Sequence, residues 1–258
     1  MRLLSVCLFI LSWQSALGRA IDLDILDLLK SDAGSVPLRI LSLGASIVWG
    51  EHSSDGNGFR KPLRDQLTSN GWSVDMVGSR KNGNMQDNDV EATPGNTIDQ
   101  VRAAASNSLQ YKPNVVLINA GTNDARLAID VPNAGNRMRT LIESLTSAPD
   151  MRNTLIVLST LIPSGNTAIT RNTPSINTQY RALVETLRKQ GTRIVLAEMN
   201  SASGTPSLTY PDDYRQNGVL DDTHPGDSGY VKMASIWYEA ISSAAAQGLI
   251  SSPAVAKS

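Results

Sequence analysis

Apolar runs at residues 38–43, 115–119, 155–158 and 194–197 constrain this chain most. They are rich in Val, Ile and Leu and nearly free of polar residues. Runs this short and this apolar are strands buried on both faces. Helical periodicity fills the gaps, at residues 59–67, 98–109, 134–145 and 176–190. Buried strands alternating with helices need a parallel sheet covered on both sides. With residues 74–77 as a further strand, the sequence predicts an α/β fold. It is a three-layer α/β/α sandwich with a flavodoxin-like parallel sheet of about five strands.

The chain has 258 residues, 41% hydrophobic and 18% charged, which is enough for one domain with a sizeable core. Its formal net charge is -1 and its sequence pI about 6.1, with no basic stripe, so nucleic acid is not an expected partner. Residues 1–18 read as a signal peptide: Arg2, an apolar stretch over 3–13, and the small residues Ala16 and Gly18. Cleavage is expected after Gly18, with Ala20 as the alternative. The apolar stretch is too short to span a bilayer comfortably. A secreted, extracellular protein with no stable membrane association is therefore expected. The one cysteine, Cys7, lies in that leader, which leaves the mature chain without a disulfide. Residues 19–37 read as a leader with a short amphipathic helix over 21–30, residues 38–250 as the α/β domain, and residues 251–258 as a tail.

Within the domain, residues 78–96 read as a long polar loop, and 163–174 as another. The last helix is expected to start at Asp227 as its N-cap, with Tyr230, Met233, Trp237 and Ile241 on a core-facing stripe.

Parallel strands direct their carboxyl ends to one edge, so loops distant in sequence meet there. Ser46 follows the first strand in Gly44-Ala45-Ser46-Ile47, Gly95 lies in the loop after the second, and Asn123 follows the third. Taken alone, each is a turn residue. His224 precedes the last helix, in Asp221-Asp222-Thr223-His224-Pro225. A serine hydroxyl needs a base near neutrality, and imidazole is the usual one. Ser46 is the candidate nucleophile and His224 the candidate base. Asp221 is the candidate orienting carboxylate, with Asp222 as runner-up. The second histidine, His52, lies in a polar loop and reads as a solvated surface residue. Asp212 and Asp213 read as turn residues, and Asp124 as a local cap. The Ser46 and Gly95 amides and the Asn123 side chain are candidate oxyanion donors.

These four blocks, in this order and spacing, resemble the SGNH hydrolases, also called the GDSL esterase/lipase family. The resemblance runs from about Leu38 to the last helix. It implies that Ser46, His224 and Asp221 form a catalytic triad and that Ser46, Gly95 and Asn123 form the oxyanion hole. One departure is Ala45, where the family usually has Asp; that Asp is not a triad member. The Gly-x-Ser-x-Gly elbow of other α/β-hydrolases is absent. The stretches Val77-Gly78-Ser79, Gly83-Asn84-Met85-Gln86-Asp87-Asn88-Asp89 and Pro94-Gly95-Asn96-Thr97-Ile98 resemble microbial acetylxylan esterases of the superfamily. Those relatives often carry an aromatic where this chain has Asn96.

The resemblance implies a serine esterase acting on acyl, in particular acetyl, esters of carbohydrate. The alternatives are a lipase or lysophospholipase-type acylhydrolase, or a non-catalytic carbohydrate-binding protein. The expected partner is a small ester or an acetylated polysaccharide, and a monomer is expected. No cofactor or metal is called for. The Asp87-Asn88-Asp89 cluster lacks the Gly and distal Glu of an EF-hand and reads as a polar loop. Trp49 reads as an aromatic buried on the first helical turn rather than as part of an acyl pocket.

Overall fold

The structure, a computed structural model, describes residues 36–201 and 206–255. The leader, with its signal and amphipathic helix, lies outside the described residues. Strand β1 (Leu38–Gly44) is the middle of the sheet. On one side it pairs with β5 (Val115–Asn119), followed by β6 (Leu155–Ser159) and β7 (Ile194–Ala197), all parallel. On the other side two strands share one edge. The amino-terminal half of β1 pairs with β2 (Val74–Val77), and its carboxyl end pairs with β4 (Asp89–Ala92). The three-layer α/β/α expectation holds with all five expected strands, and β4 adds a sixth parallel strand.

Each strand divides its side chains between two cores. Ile40, Val115, Leu117, Leu155 and Val157 pack on one face. Leu41, Leu43, Val116, Ile118, Ile156 and Leu158 pack on the other. Every such side chain contributes about 1.5–3 kcal/mol on burial, so a one-residue slip that swapped the sets would misplace them all. The first face is covered by α2 (Arg60–Ser69) and α7 (Asp227–Ala246), where the expected stripe Tyr230, Met233, Trp237 and Ile241 is buried. The second is covered by α3 (Ile98–Ala105), α5 (Ala134–Thr146) and α6 (Thr167–Lys189). Two short helices remain at the carboxyl edge of the sheet: α1 (Ser46–Trp49) and α4 (Thr122–Leu127).

Three expectations need correction. The 78–96 stretch contains a hairpin, β3 (Arg80–Lys81) against β4. Strand β4 reads Asp-Val-Glu-Ala, too short and too polar for a periodic signal, and its buried Glu91 is satisfied by the hydroxyls of Ser79 and Ser108 at 2.6 and 2.5 Å. Helix α6 begins at Thr167, well before Pro174, which sits inside it. Asn166 starts the helix by accepting the amides of Ala168 and Ile169, and the stripe Ile169, Thr173, Ile176 and Tyr180 continues through the proline. Pro174 faces solvent, where its ring meets no packed neighbour layer and the freed carbonyl can be hydrated. Finally, Gly226 and not Asp227 is the N-cap of α7. The Asp227 carboxylate instead accepts the Ser54 amide at 2.9 Å and the Gln216 side chain at 2.8 Å.

The tail crosses the amino edge of the sheet. The carbonyls of Ser251 and Ala254 accept from Asn114 Nδ2 (2.8 Å) and Arg39 (3.0 Å), and that of Val255 from Lys112 Nζ (2.9 Å).

Candidate functional site

Ser46 is the first residue of α1, directly after β1. The turn needs glycine at position 44, because a Cβ there would lie 2.2 Å from the Asn119 carbonyl oxygen and 2.4 Å from Val48. The register of β4 against β1 brings the next loop alongside, with the Thr93 amide donating to the Gly44 carbonyl at 3.4 Å.

His224 reaches this point from the loop before α7. Its Nε2 lies 2.9 Å from Ser46 Oγ. Its Nδ1 lies 3.1 Å from Asp221 Oδ2 and 3.2 Å from Oδ1. The carboxylate can only accept, so Nδ1 carries the proton and Nε2 faces the serine hydroxyl. Asp221 also accepts the amides of Thr223 (2.7 Å) and His224 (2.8 Å). Burial acts to raise its carboxyl, but hydrogen bonds from those amides and from the His224 ring outweigh this and hold it below the usual range.

Asp222, the runner-up, points elsewhere. Its carboxylate takes Thr223 Oγ1 (2.5 Å) and Asn166 Nδ2 (3.1 Å), which lower its pKa, and lies 3.6 Å from Arg126. Arg126 also donates to Thr223 Oγ1. Asp213 is not a simple turn residue. It is buried, accepts the Thr209 amide at 2.7 Å and Lys232 Nζ at 2.9 Å, and so anchors the chain leading to His224.

The oxyanion candidates are joined to one another. Asn123, the second residue of α4, donates from Nδ2 to the Asn96 carbonyl at 2.9 Å, one residue past Gly95. Gly95 has φ +86°, a conformation that L side chains rarely adopt. Asp124 is fully buried; it accepts the Ile98 amide at 3.0 Å at the start of α3 and pairs with Arg137 at 2.6 Å. That tie fixes α4 and, with it, Asn123.

His52 does not join the site. It is half-buried at φ 67°, and its Nε2 is enclosed without a partner. The polar loop that carries it folds back onto α7, which a composition-based reading could not show. Trp49 is half-buried against the core, with the Arg80 guanidinium 4.8 Å from its ring centre. Asp87, Asn88 and Asp89 turn to separate partners: Arg64, the Gly83 carbonyl and Lys81. No cluster of three or more metal-ligating side chains occurs among the described residues.

Sequence reasoning missed two residues here. The Glu51 carboxylate lies 3.2 Å from His224 Nε2. Arg60, fully buried, holds the carbonyls of Trp49, Gly56, Asn82 and Asn88 around the loop after α1. The available signal was Gly50. It closes α1 in the left-handed conformation, with the Glu51 amide returning to the Ser46 carbonyl (3.1 Å) and the Gly50 amide to that of Ile47 (3.3 Å). This pattern folds the residue after the glycine back over the start of so short a helix.

A three-layer α/β/α sandwich thus carries serine, histidine and aspartate in hydrogen-bonding sequence at the carboxyl edge of its sheet. The chain belongs to the GDSL-like Lipase/Acylhydrolase family, whose model matches residues 42–232. Its fold is similar to that of a Clostridium thermocellum family 3 carbohydrate esterase, at TM-score 0.67 and 24% identity over 79% of this chain and 94% of that one. A carbohydrate esterase family 3 protein from Talaromyces cellulolyticus gives 0.63 and 21%, over 78% and 95% of the two chains. An acetyl xylan esterase from Geobacillus stearothermophilus gives 0.57 and 19%, over 81% and 96%. No curated protein sequence matches the chain significantly. No helix among the described residues is long and apolar enough to cross a membrane.

Proposed function

We propose that this protein is a secreted serine esterase that removes acyl groups, acetyl in particular, from carbohydrate. The observation that carries the reading is the continuous chain of contacts from Ser46 Oγ through the His224 ring to Asp221. The fold likeness to carbohydrate esterases supports the substrate class. The apolar leader supports export.

In this mechanism His224 Nε2 takes the Ser46 proton as Oγ attacks the ester carbonyl. The charge on the tetrahedral oxygen is met by the Ser46 and Gly95 amides and the Asn123 side chain. His224 returns the proton to the departing sugar oxygen, leaving acyl-Ser46. Water, deprotonated by His224, then attacks the acyl carbon and frees the acid and the serine. Asp221 keeps the ring in the tautomer that both halves need. None of these steps calls for a metal or an organic cofactor.

The test is acetate release from acetylated xylan and from p-nitrophenyl acetate, set against hydrolysis of long-chain esters. The reading requires the acetyl substrates to be preferred and Ser46→Ala to abolish turnover of all of them. Preference for long acyl chains would move the protein to the lipase class. Undiminished activity in Ser46→Ala would remove the nucleophile assignment.

A further inference from the structure

Two oxygens lie close to one nitrogen in this site. His224 Nε2 is 2.9 Å from Ser46 Oγ and 3.2 Å from Glu51 Oε2. The Glu51 backbone is fixed on both sides. Its amide donates to the Ser46 carbonyl, and its carbonyl accepts the hydroxyl of buried Tyr230 at 2.7 Å. Two residues back, the Trp49 carbonyl is held by Arg60 (3.3 Å) and Asn82 Nδ2 (2.7 Å). Only the side chain is free to move, and it is 40% exposed.

A carboxylate accepts hydrogen bonds and cannot donate them. It is drawn to Nε2 when that nitrogen carries a proton and repelled when it does not. Ser46 can be deprotonated only when Nε2 is bare. We propose that Glu51 is a positioning residue that competes with Ser46 for His224 Nε2, drawing that nitrogen toward itself whenever it is protonated and thereby setting the pH at which the esterase turns on. This rests on the assignment of Ser46 and His224 as nucleophile and base. One proton moves between solvent and Nε2, and no other bond changes.

The groups around the ring make Glu51 the discriminating one. Asp221 faces Nδ1 from the ring's own loop, and Asp222 and Arg126 lie beyond Thr223. Buried Tyr214 and Tyr230, from the chain before the loop and from α7, are pushed up by burial and stay neutral through the working range. Among the described residues, Glu51 is the one charged group on the nitrogen that must lose its proton.

Glu51→Gln keeps the shape and removes the charge. The chain has two histidines, so ring titration by NMR is readily assigned. In the Ser46→Ala protein, adding Glu51→Gln should lower the His224 midpoint, because it removes the carboxylate beside Nε2. In the active protein the acid limb of kcat/KM should move down by the same amount. An unmoved His224 midpoint, in a variant whose melting temperature matches its parent, overturns the proposal. Activity in Ser46→Ala overturns the nucleophile assignment instead, and the NMR result then still reports directly on Glu51 and Nε2.

Discussion

Arg60 allows a stability prediction to be worked from the structure. Its guanidinium is enclosed among four main-chain carbonyls at 2.9–3.3 Å. Among the described residues no carboxylate lies within ion-pair distance of it. Burial lowers its pKa to about 10, which corresponds to about 3 kcal/mol held against the charged form. Hydrogen bonds from a charged donor contribute about 1.5 kcal/mol each at the lower end, so four give about 6 kcal/mol and a net gain near 3. Arg60→Met keeps most of the volume but leaves the acceptors behind. The Trp49 and Gly56 carbonyls retain Asn82 Nδ2, and the Asn88 carbonyl retains the Asn82 amide. The Asn82 carbonyl therefore loses most. The expected destabilisation is about 2–4 kcal/mol, read from urea unfolding with an unchanged slope. A loss below about 1 kcal/mol would show that an apolar side chain serves as well and would refute the reasoning.

Two further outcomes follow from the site. Asn123→Ala should lower kcat by about 10²–10³ if its amide stabilises the oxyanion; a loss under about tenfold would leave it only the Asn96 carbonyl to hold. Asp221 has a carboxyl held below its ordinary value, so its ionised form favours the folded state above about pH 4 and that contribution disappears as pH falls through the folded value. The stability difference between the parent and Asp221→Asn, followed by chemical unfolding, should be full at pH 6–7 and shrink below about pH 4; a difference constant down to pH 3 would contradict it.

The parts of this molecule that could be read from sequence are those where one physical cause dominates. Strands β1, β5, β6 and β7 are buried on both faces, so their composition alone marks them. Ser46, Gly95, Asn123 and the Asp221–His224 loop were legible because a parallel sheet gathers its carboxyl-end loops. What stayed hidden depends on partners distant in sequence. Glu91 is a strand residue only because Ser79 and Ser108 satisfy it. The start of α6 was obscured by Pro174, whose local cost is overridden by a continuous buried stripe. Asp213 reads as a turn residue in sequence because its partner, Lys232, lies on another element. Gly50 signals a left-handed turn before Glu51, but that this turn aims Glu51 at the histidine depends on α1 being only four residues long.

Residues 251–255, held to Arg39, Lys112 and Asn114 through their own carbonyls, have a practical corollary. These grips use the main chain, so substitutions at Ala254 or Val255 leave the anchoring atoms in place. Val255 lies beneath the floor of the molecule, while Ser46 opens on the roof. Protein tethered to a bead through a substituted Val255 side chain would leave the Ser46 face turned to solvent.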